Sequence, residues 1–508
     1  MGKKRDFDDM EKRLYRRRRR IRNQIIAYIV VVIFFAAIVV GAVSGIRVLT
    51  KMMAEKKQAD ELAEQLEQME DEEGTIIEPP VSVEMPQEDV DWLEEMVASS
   101  IENMPLEDKV AGLFIIAPEA ITGVSQAIQA GDGTKEALDR YPVGGFVYFE
   151  QNIIDKDQFT QMLSNTMGMR PEYPMFLAVD EEGGAVRRIG NSNIEVNEVG
   201  DMADIGAGGD TMAAYNAGKE IGFYLCDLGL NVDFAPVADV VGDPGNSAIG
   251  KRSFGSDPAL VGGMAAAAVN GIQEMGVSAC LKHFPGIGSV GEDTHEGMAV
   301  LEKNLEELRA SEFPAFQAGI EAGADFIMIS HVSAPNVVGD NTPCSLSEEV
   351  VTSLLRGELG YNGIVITDAM NMGAITEYYA AGDAAVQALK AGADMVLMPE
   401  DFEQAYQGVL QAVQEGVIAE ERINESLKRI YRVKLRDRID TEGNVVDVMD
   451  AGQEAGGAEE QGAAETDVTG GESGDGTDVA GADGADGTDV AGGEGADGTD
   501  VTGAEGGE

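Results

Sequence analysis

Eight short apolar runs recur between about residues 90 and 438, and segments long enough for helices separate them. The runs are GLFII (112–116), GGFVYF (144–149), MFLAV (175–179), VDFAPV (232–237), ACLKHF (279–284), FIMIS (326–330), GIVIT (363–367) and MVLMP (395–399). Continuous rather than alternating apolar strands, interleaved with helices such as 260–276, indicate a buried parallel sheet. Eight such units in roughly 350 residues predict an α/β fold of the (β/α)8 barrel type, with a doubly wound open sheet as the alternative.

The segment 25–46 is apolar and carries no charge over a length that spans a hydrocarbon core of about 30 Å. It is predicted to be a transmembrane helix, with a cleaved secretory signal as the rival interpretation. The preceding residues 1–24 form a basic head that includes the run Arg16 to Arg20. The positive-inside rule therefore predicts a single-pass membrane protein whose N-terminus is cytoplasmic and whose later residues are extracellular.

The remaining segments flank one globular region. Residues 47–89 are predicted to be a helical stalk followed by a proline-rich linker, and 90–440 to be the barrel domain. Residues 441–508 consist mostly of Gly, Ala, Asp, Glu and Thr and contain no Lys or Arg. Such a segment has too few apolar residues to offset the entropy of ordering, which predicts a disordered acidic tail; calcium binding by its aspartates is the alternative.

Composition limits the partners of this chain. The formal net charge of -54 argues against nucleic acid, whose phosphates require clustered cations. The three cysteines, Cys226, Cys280 and Cys344, are scattered and show no CxxC spacing, so neither a disulfide framework nor a cysteine metal site is predicted.

Charged and polar residues follow several of the predicted strands, which is where the active sites of such barrels lie. They are Asp180 to Glu182 after the third run, Asp239 and then Lys251 and Arg252 after the fourth, Lys282 and His283 in the fifth, His331 after the sixth, and Asp368 after the seventh. All three histidines of the chain, His283, His295 and His331, lie at such an end or in the loop beyond it. The pattern predicts a polar site at the carboxyl ends of the strands.

Asp368 is the sharpest single candidate, because a carboxylate directly after a buried strand lies at the barrel mouth. There it can attack an anomeric carbon or bind a cation; the competing interpretation is an N-cap for the next helix. Asp293 and His295 form a D-x-H pair in a glycine-rich loop. A carboxylate beside an imidazole can fix its tautomer and raise its basicity, although such a pair also suits a metal ligand set. No HExxH motif or cysteine cluster accompanies it, and no metal or other cofactor is predicted.

Four ordered motifs carry a resemblance to a known family. They are PMFLAVDEEGGAVRRI, GKRSFGSDP, LKHFPGIGSVGEDTH and GIVITDAMNM. In this order and spacing, over about 100–435, the chain resembles family 3 glycoside hydrolases, and more narrowly the single-domain bacterial β-N-acetylglucosaminidases that act on cell-wall fragments.

The resemblance implies a role for each matching residue. Asp368 would be the nucleophile that forms a glycosyl-enzyme intermediate, and His295, oriented by Asp293, would be the general acid/base. The resemblance also implies a set of side chains that hydrogen-bond the terminal sugar, namely Asp180, Arg188, Arg252, Lys282 and His283. The implied activity is retaining exo-hydrolysis of terminal β-linked N-acetylglucosamine from cell-wall-derived or related glycans.

The chain also departs from the usual family pattern. Ile287 and Ser289 stand where the loop motif PGHGDT has its histidine and aspartate, Ala185 and Arg187 alter the EGGRVQR motif, and Ala369 replaces the carboxylate that follows the nucleophile in some members. The alternatives are a β-glucosidase or β-xylosidase of the same fold, and, from another class, an inactive membrane-tethered scaffold that binds the wall. The sequence leaves the oligomeric state and the choice between hydrolysis and phosphorolysis open.

Overall fold

The structure is a computed structural model, and it describes residues 92–242, 246, 248–291 and 297–436. The predicted head, transmembrane segment, stalk, linker and acidic tail lie outside these residues. None of the helices within the described ranges is both long and apolar enough to cross a membrane.

Eight parallel strands form a closed barrel in the order β1-β10-β9-β8-β7-β6-β3-β2. Their bounds are β1 Phe114–Ile116, β2 Gly145–Val147, β3 Phe176–Val179, β6 Val232–Asp233, β7 Ser278–Phe284, β8 Phe326–Ile329, β9 Ile364–Ala369 and β10 Met395–Leu397. Because β1 pairs with both β2 and β10, the sheet has no free edge. The barrel prediction is confirmed, each of the eight apolar runs supplies one strand, and the open doubly wound sheet is excluded.

Helices surround the barrel. They span Trp92–Glu102, Leu106–Ala111, Glu119–Thr122, Asp132–Arg140, Lys156–Met169, Met202–Gly208, Thr211–Leu228, Pro258–Glu274, Leu305–Ala310, Glu312–Glu321, Pro335–Val338, Gly373–Thr376, Ala381–Ala391, Phe402–Gln414 and Glu420–Leu435. Single 3-10 turns occur at Glu150–Asn152, Gly250–Arg252 and Cys344–Leu346, and Glu349–Glu358 is a π-helix. The helix predicted over 260–276 begins earlier, at Pro258, because the side chain of Asp257 accepts the amide of Leu260 at 2.9 Å and caps it.

Two local features differ from the sequence prediction. β6 ends at Asp233, although its apolar run continues to Val237, since Pro236 has no N–H to donate to a neighbouring strand. An antiparallel hairpin, β4 Glu181–Gly183 and β5 Val186–Arg187, follows β3 and was not predicted.

The carboxylate of Glu181 stabilises this hairpin through hydrogen bonds. It accepts the amides of Ile189 at 2.8 Å and Gly190 at 3.0 Å, and the hydroxyl of Tyr224 at 2.8 Å. Glu181 lines a cavity of about 780 Å³ on the outer side of the hairpin. Because side chains alternate along a strand, its neighbours Asp180 and Glu182 point the other way, towards the barrel mouth.

A single carboxylate organises the opposite end of the barrel. Asp394, which directly precedes β10, is fully buried and accepts the amide of Val365 at 3.0 Å and the hydroxyl of Ser426 at 2.7 Å. The guanidinium groups of Arg356 and Arg429 also bind it, the latter at 3.0 Å. Asp394 thereby joins the π-helix and the last helix to the sheet.

Substitution of Asp394 by Asn is expected to lower the free energy of unfolding by about 3 kcal/mol, because it removes the fully buried charge that the part-buried Arg356 and Arg429 bind. Urea unfolding at neutral pH measures this loss. Asp139→Asn, which alters an exposed surface ion pair with Lys135, is the control and should change the free energy by less than about 0.5 kcal/mol. Equal values for the two variants would show that the Asp394 network adds no net stability.

Candidate active site

Asp368 lies at the carboxyl end of β9, within the strand and half-buried at the barrel mouth. The amide of Ala369 donates to its Oδ1 at 2.8 Å. The next helix begins at Gly373 with Met372 in the N-cap position, so Asp368 does not cap it. Burial raises the pKa of this carboxyl, but the nearby His283 and His331 outweigh that effect and hold the pKa below its ordinary value. Asp368 is therefore ionised at neutral pH, as a nucleophile requires.

His331 binds the backbone directly after the nucleophile. Its ring is fully buried, with Nδ1 2.8 Å from the Ser345 hydroxyl and Nε2 3.0 Å from the carbonyl oxygen of Ala369. Because a carbonyl only accepts, Nε2 carries the proton. Burial lowers the pKa of His331, and the Asp368 carboxylate opposes that effect. The sequence marked His331 only by its position at a strand end, and its partner Ser345 could not be inferred.

A cluster of charges lines the neighbouring part of the mouth. The Lys282 ammonium, which is 2% exposed, lies 2.8 Å from Asp180 Oδ1 and 2.6 Å from Glu182 Oε1. Arg252 binds both oxygens of Glu182, through Nε at 2.7 Å and Nη2 at 2.8 Å. An ammonium has three N–H groups, and two of them serve these carboxylates in the described part of the chain, which leaves one for a ligand.

Glu182 belongs to this cluster, although the sequence predicted no binding role for it. Burial raises the pKa of its carboxyl, but Lys282 and Arg252 outweigh that effect and lower the pKa to about 2. A carboxylate so engaged does not donate protons near neutral pH, so Glu182 is not a second general acid. Its function is to hold the two cations in place.

The Glu182→Gln variant should be less stable than the wild type by about 3 kcal/mol at pH 7, because it removes one partner of a buried charge cluster. The folded-state pKa of Glu182, about 2, is below its ordinary value of 4.5. Its stabilisation is therefore complete above the ordinary value and is lost as the pH falls from there towards the folded-state value. Urea titrations at several pH values should show the difference between the two proteins shrinking over that range. A difference that stays constant down to about pH 3 would contradict the assignment.

His283 is held on the other side of Arg252. Its Nδ1 lies 2.7 Å from Asp239 Oδ2, and its Nε2 lies 3.5 Å from Arg252 Nη2. A carboxylate only accepts, so Nδ1 of His283 carries a proton and donates it to Asp239. Phe284–Pro285, Lys282–His283 and Ala235–Pro236 are cis peptide bonds beside this site.

Arg188, the last of the predicted sugar ligands, reaches the mouth from the residue after β5. Its Nη2 is 3.8 Å from Asp180 Oδ2, and its guanidinium lies over the Phe149 ring at 5.6 Å. Its Nε is buried and has no hydrogen-bond partner within the described residues. The structure thus places Asp180, Arg188, Arg252, Lys282, His283 and Asp368 at the barrel mouth, and their roles in catalysis and sugar binding stay predictions.

The predicted acid/base pair, Asp293 and His295, falls in 292–296 and lies outside the described residues. The chain that leads to it is described as far as Gly291. Ile287 and Val290 are buried there, and the Ser289 hydroxyl donates to Glu312 Oε1 at 3.3 Å. The unusual loop residues therefore pack against the barrel.

The other departures from the family pattern lie near the hairpin and the nucleophile. The Arg187 guanidinium pairs with Glu198 at 3.0 Å, and the carbonyl of Ala369 accepts a hydrogen bond from His331 Nε2. Among the described residues, no group of three His, Cys, Asp or Glu side chains is arranged to hold a metal ion.

Comparisons with known proteins agree with the fold and the motifs. The family model described as the glycosyl hydrolase family 3 N-terminal domain matches residues 105–433. A β-hexosaminidase of Stenotrophomonas maltophilia is 37% identical over 282 residues, which make up 54% of this chain and 82% of that protein. A β-hexosaminidase A of Pseudoalteromonas piscicida is 32% identical over 329 residues, and the match covers 59% of this chain and about half, 54%, of the relative.

A solved structure shows the same similarity. A family 3 β-N-acetylglucosaminidase from a Paenibacillus species superimposes with a TM-score of 0.62 at 37% sequence identity. The superposition covers 66% of this chain and 62% of that one.

Proposed function

Since the chain belongs to glycoside hydrolase family 3, we propose that it hydrolyses terminal β-linked N-acetylglucosamine from glycans with retention of configuration. The observation that carries this proposal is the ionised Asp368 at the barrel mouth, beside a preformed cluster of cations and carboxylates that would bind the sugar. The β-hexosaminidase relatives support the choice of an N-acetylated amino sugar.

In the first step, Asp368 attacks the anomeric carbon while His295 donates a proton to the leaving oxygen, giving a glycosyl-enzyme ester. In the second, His295 takes a proton from water, which attacks the ester and releases the sugar with the starting configuration. Asp293 orients the imidazole. The side chains of Asp180, Arg188, Arg252, Lys282 and His283 hold the sugar hydroxyls, so that binding energy positions the reacting carbon.

The test is turnover of a panel of nitrophenyl glycosides by the purified full chain. The N-acetyl-β-glucosaminide should be hydrolysed with a kcat/KM at least about 100-fold above that of the β-glucoside and β-xyloside, a ratio that corresponds to about 2.7 kcal/mol. Preference for the β-glucoside or β-xyloside would replace the proposal by that activity, and no turnover of any glycoside would indicate a binding scaffold.

The proposed location is the outer face of a cell membrane, with 25–46 as a single-pass anchor and cell-wall-derived glycan as the substrate class. It rests on the uncharged apolar segment and the basic residues that precede it.

Protease added to intact cells without their wall should remove the acidic tail 441–508 and leave the head 1–24 protected, because the Arg16 to Arg20 run retains the head inside. Antibodies against tags at the two ends report both outcomes on one blot. A cleaved head with an intact tail would reverse the orientation, and release of the whole chain into the medium would indicate a cleaved signal instead of an anchor.

A further inference from the structure

Asp239 is fully buried, and both of its carboxylate oxygens accept hydrogen bonds from one continuous stretch of chain. Its Oδ2 accepts from Nδ1 of His283 at 2.7 Å and from the backbone amide of the same residue at 3.2 Å. Its Oδ1 accepts the amide of Ile287 at 2.7 Å. One planar group therefore fixes both a side chain of the mouth and the loop that follows it.

The groups joined in this way serve different parts of the proposed reaction. His283 contacts the sugar, whereas Ile287 stands six residues before Asp293 on the loop that leads to His295. Two further hydrogen bonds hold the root of the loop, from the Gly242 amide to the Gly288 carbonyl at 2.9 Å and from Asn246 Nδ2 to the Ile287 carbonyl at 2.9 Å. Three residues therefore hold the beginning of the loop, namely Asp239, Gly242 and Asn246. Among these three, Asp239 is the one that also binds the His283 ring within the described part of the chain.

We propose that Asp239 is a positioning residue that couples the sugar-binding ring of His283 to the loop carrying the acid/base pair. The inference rests on the proposed function for its catalytic consequence. Because one rigid, buried carboxylate binds both elements, the position of the His283 ring and that of Ile287 are fixed relative to each other. Sugar binding and placement of His295 thereby become linked.

The chemistry of the donors explains why this position requires a carboxylate. All three groups that face Asp239 are N–H donors, and an ionised carboxylate is acceptor-only. An asparagine has the same shape but carries two N–H groups at one of its two positions. The amide oxygen satisfies the most donors where Oδ2 stands, because two N–H groups of His283 face that position. The NH2 group then opposes the N–H of Ile287, so Asp239→Asn releases Ile287.

The first test measures the geometry without turnover, on the purified full chain. Hydrogen exchange followed by mass spectrometry should show slow exchange in the peptide over 284–291, and Asp239→Asn should accelerate it by at least about 10-fold, as expected when a buried amide loses its acceptor. The chain has three histidines, so ¹⁵N-histidine NMR can resolve each ring. A low-field Nδ1 proton that is absent from His283→Gln identifies the bond to Asp239.

The second test measures the consequence for catalysis. Kinetics with an N-acetylglucosaminide of a good leaving group, nitrophenol, and of a poor one, an alkyl alcohol, should show an unequal loss in Asp239→Asn. The poor leaving group needs the proton from His295 in the first step, so its kcat/KM should fall at least about 10-fold more than that of the nitrophenyl compound.

Asp394→Asn is the matched control, because it too alters a fully buried aspartate that accepts a backbone amide, but at the opposite end of the barrel. It should lower the melting temperature and leave the ratio between the two leaving groups unchanged. Equal losses for both substrates in Asp239→Asn, or unchanged exchange over 284–291, would overturn the proposal.

Two further outcomes are also decisive. If Asp239→Asn does not fold, measurements on the wild type decide. Slow exchange over 284–291 together with a low-field Nδ1 proton on His283 supports the coupling. Fast exchange there, or a His283 ring without that proton, overturns it. If the wild type hydrolyses no N-acetylglucosaminide, the proposed function fails, while the exchange and NMR measurements still decide whether Asp239 holds both elements.

Discussion

Replacement of Asp368 by Asn is expected to reduce kcat for every glycoside substrate by on the order of 10⁴-fold, the scale seen when one member of a catalytic unit is removed. The amide has the shape of the carboxylate but cannot form the glycosyl ester, so both bond formation and bond cleavage fail. The His283 and His331 rings, which hold the pKa of Asp368 below its ordinary value, remain in place. Steady-state turnover of the nitrophenyl N-acetylglucosaminide measures the effect.

Asp139→Asn is the control for this substitution, because Asp139 is exposed on an outer helix and pairs within the described residues with Lys135 and Arg170, away from the barrel mouth. It should leave kcat and KM at their wild-type values. A residual rate above about 1% in the Asp368 variant, at unchanged sugar specificity, would assign the nucleophile to another group, because loss of a nucleophile reduces the rate by far more than about 100-fold.

Replacement of His295 by Ala is expected to discriminate between substrates by their leaving groups. A nitrophenolate departs almost without protonation, so the first step with the nitrophenyl compound survives, whereas an alkyl or sugar aglycone loses on the order of 10²- to 10⁴-fold. Hydrolysis of the glycosyl-enzyme then becomes slow, because no base activates the water. Rapid mixing should reveal a burst of nitrophenol equal to the enzyme concentration.

Asp293→Ala should show a weaker form of the same pattern, because Asp293 orients the imidazole and does not transfer the proton. Equal losses for all leaving groups, without a burst, would make His295 a binding residue. The acid/base would then be sought at Glu292 and Glu296, since Lys282 and Arg252 fully engage Glu182.

The hydrophobic pattern predicted a buried parallel sheet, because strands buried on both faces leave continuous apolar runs, and the number of eight units favoured the barrel over the open sheet. The hairpin β4–β5 was not predictable in the same way. Its four-residue span from Gly183 to Val186 includes two glycines with positive φ, of 82° and 57°, in a sequence that otherwise reads as a loop. Its stability comes from Glu181, whose partner Tyr224 lies 43 residues away.

The sequence placed several candidate residues at the barrel mouth, but it did not predict the contacts between them. Position after a strand indicated that Asp180, Lys282 and Asp368 share the mouth. Nothing in the local sequence shows that Arg252 binds Glu182, which lies 70 residues away, or that Asp239 accepts a hydrogen bond from His283, 44 residues later. These contacts arise only when the barrel closes and neighbouring strand ends converge.

The two ends of the described chain lie on the same side of the barrel. The first helix pairs with the last through Glu94 and Arg432, and Arg436 binds Asp325, which directly precedes β8. The amino ends of the strands are therefore where the chain enters and leaves, on the face remote from Asp368. Attachment and access are consequently separate: a tether, a fusion partner or a solid support joined directly at residue 92 or 436 would meet the barrel on the face opposite the entrance for a glycan.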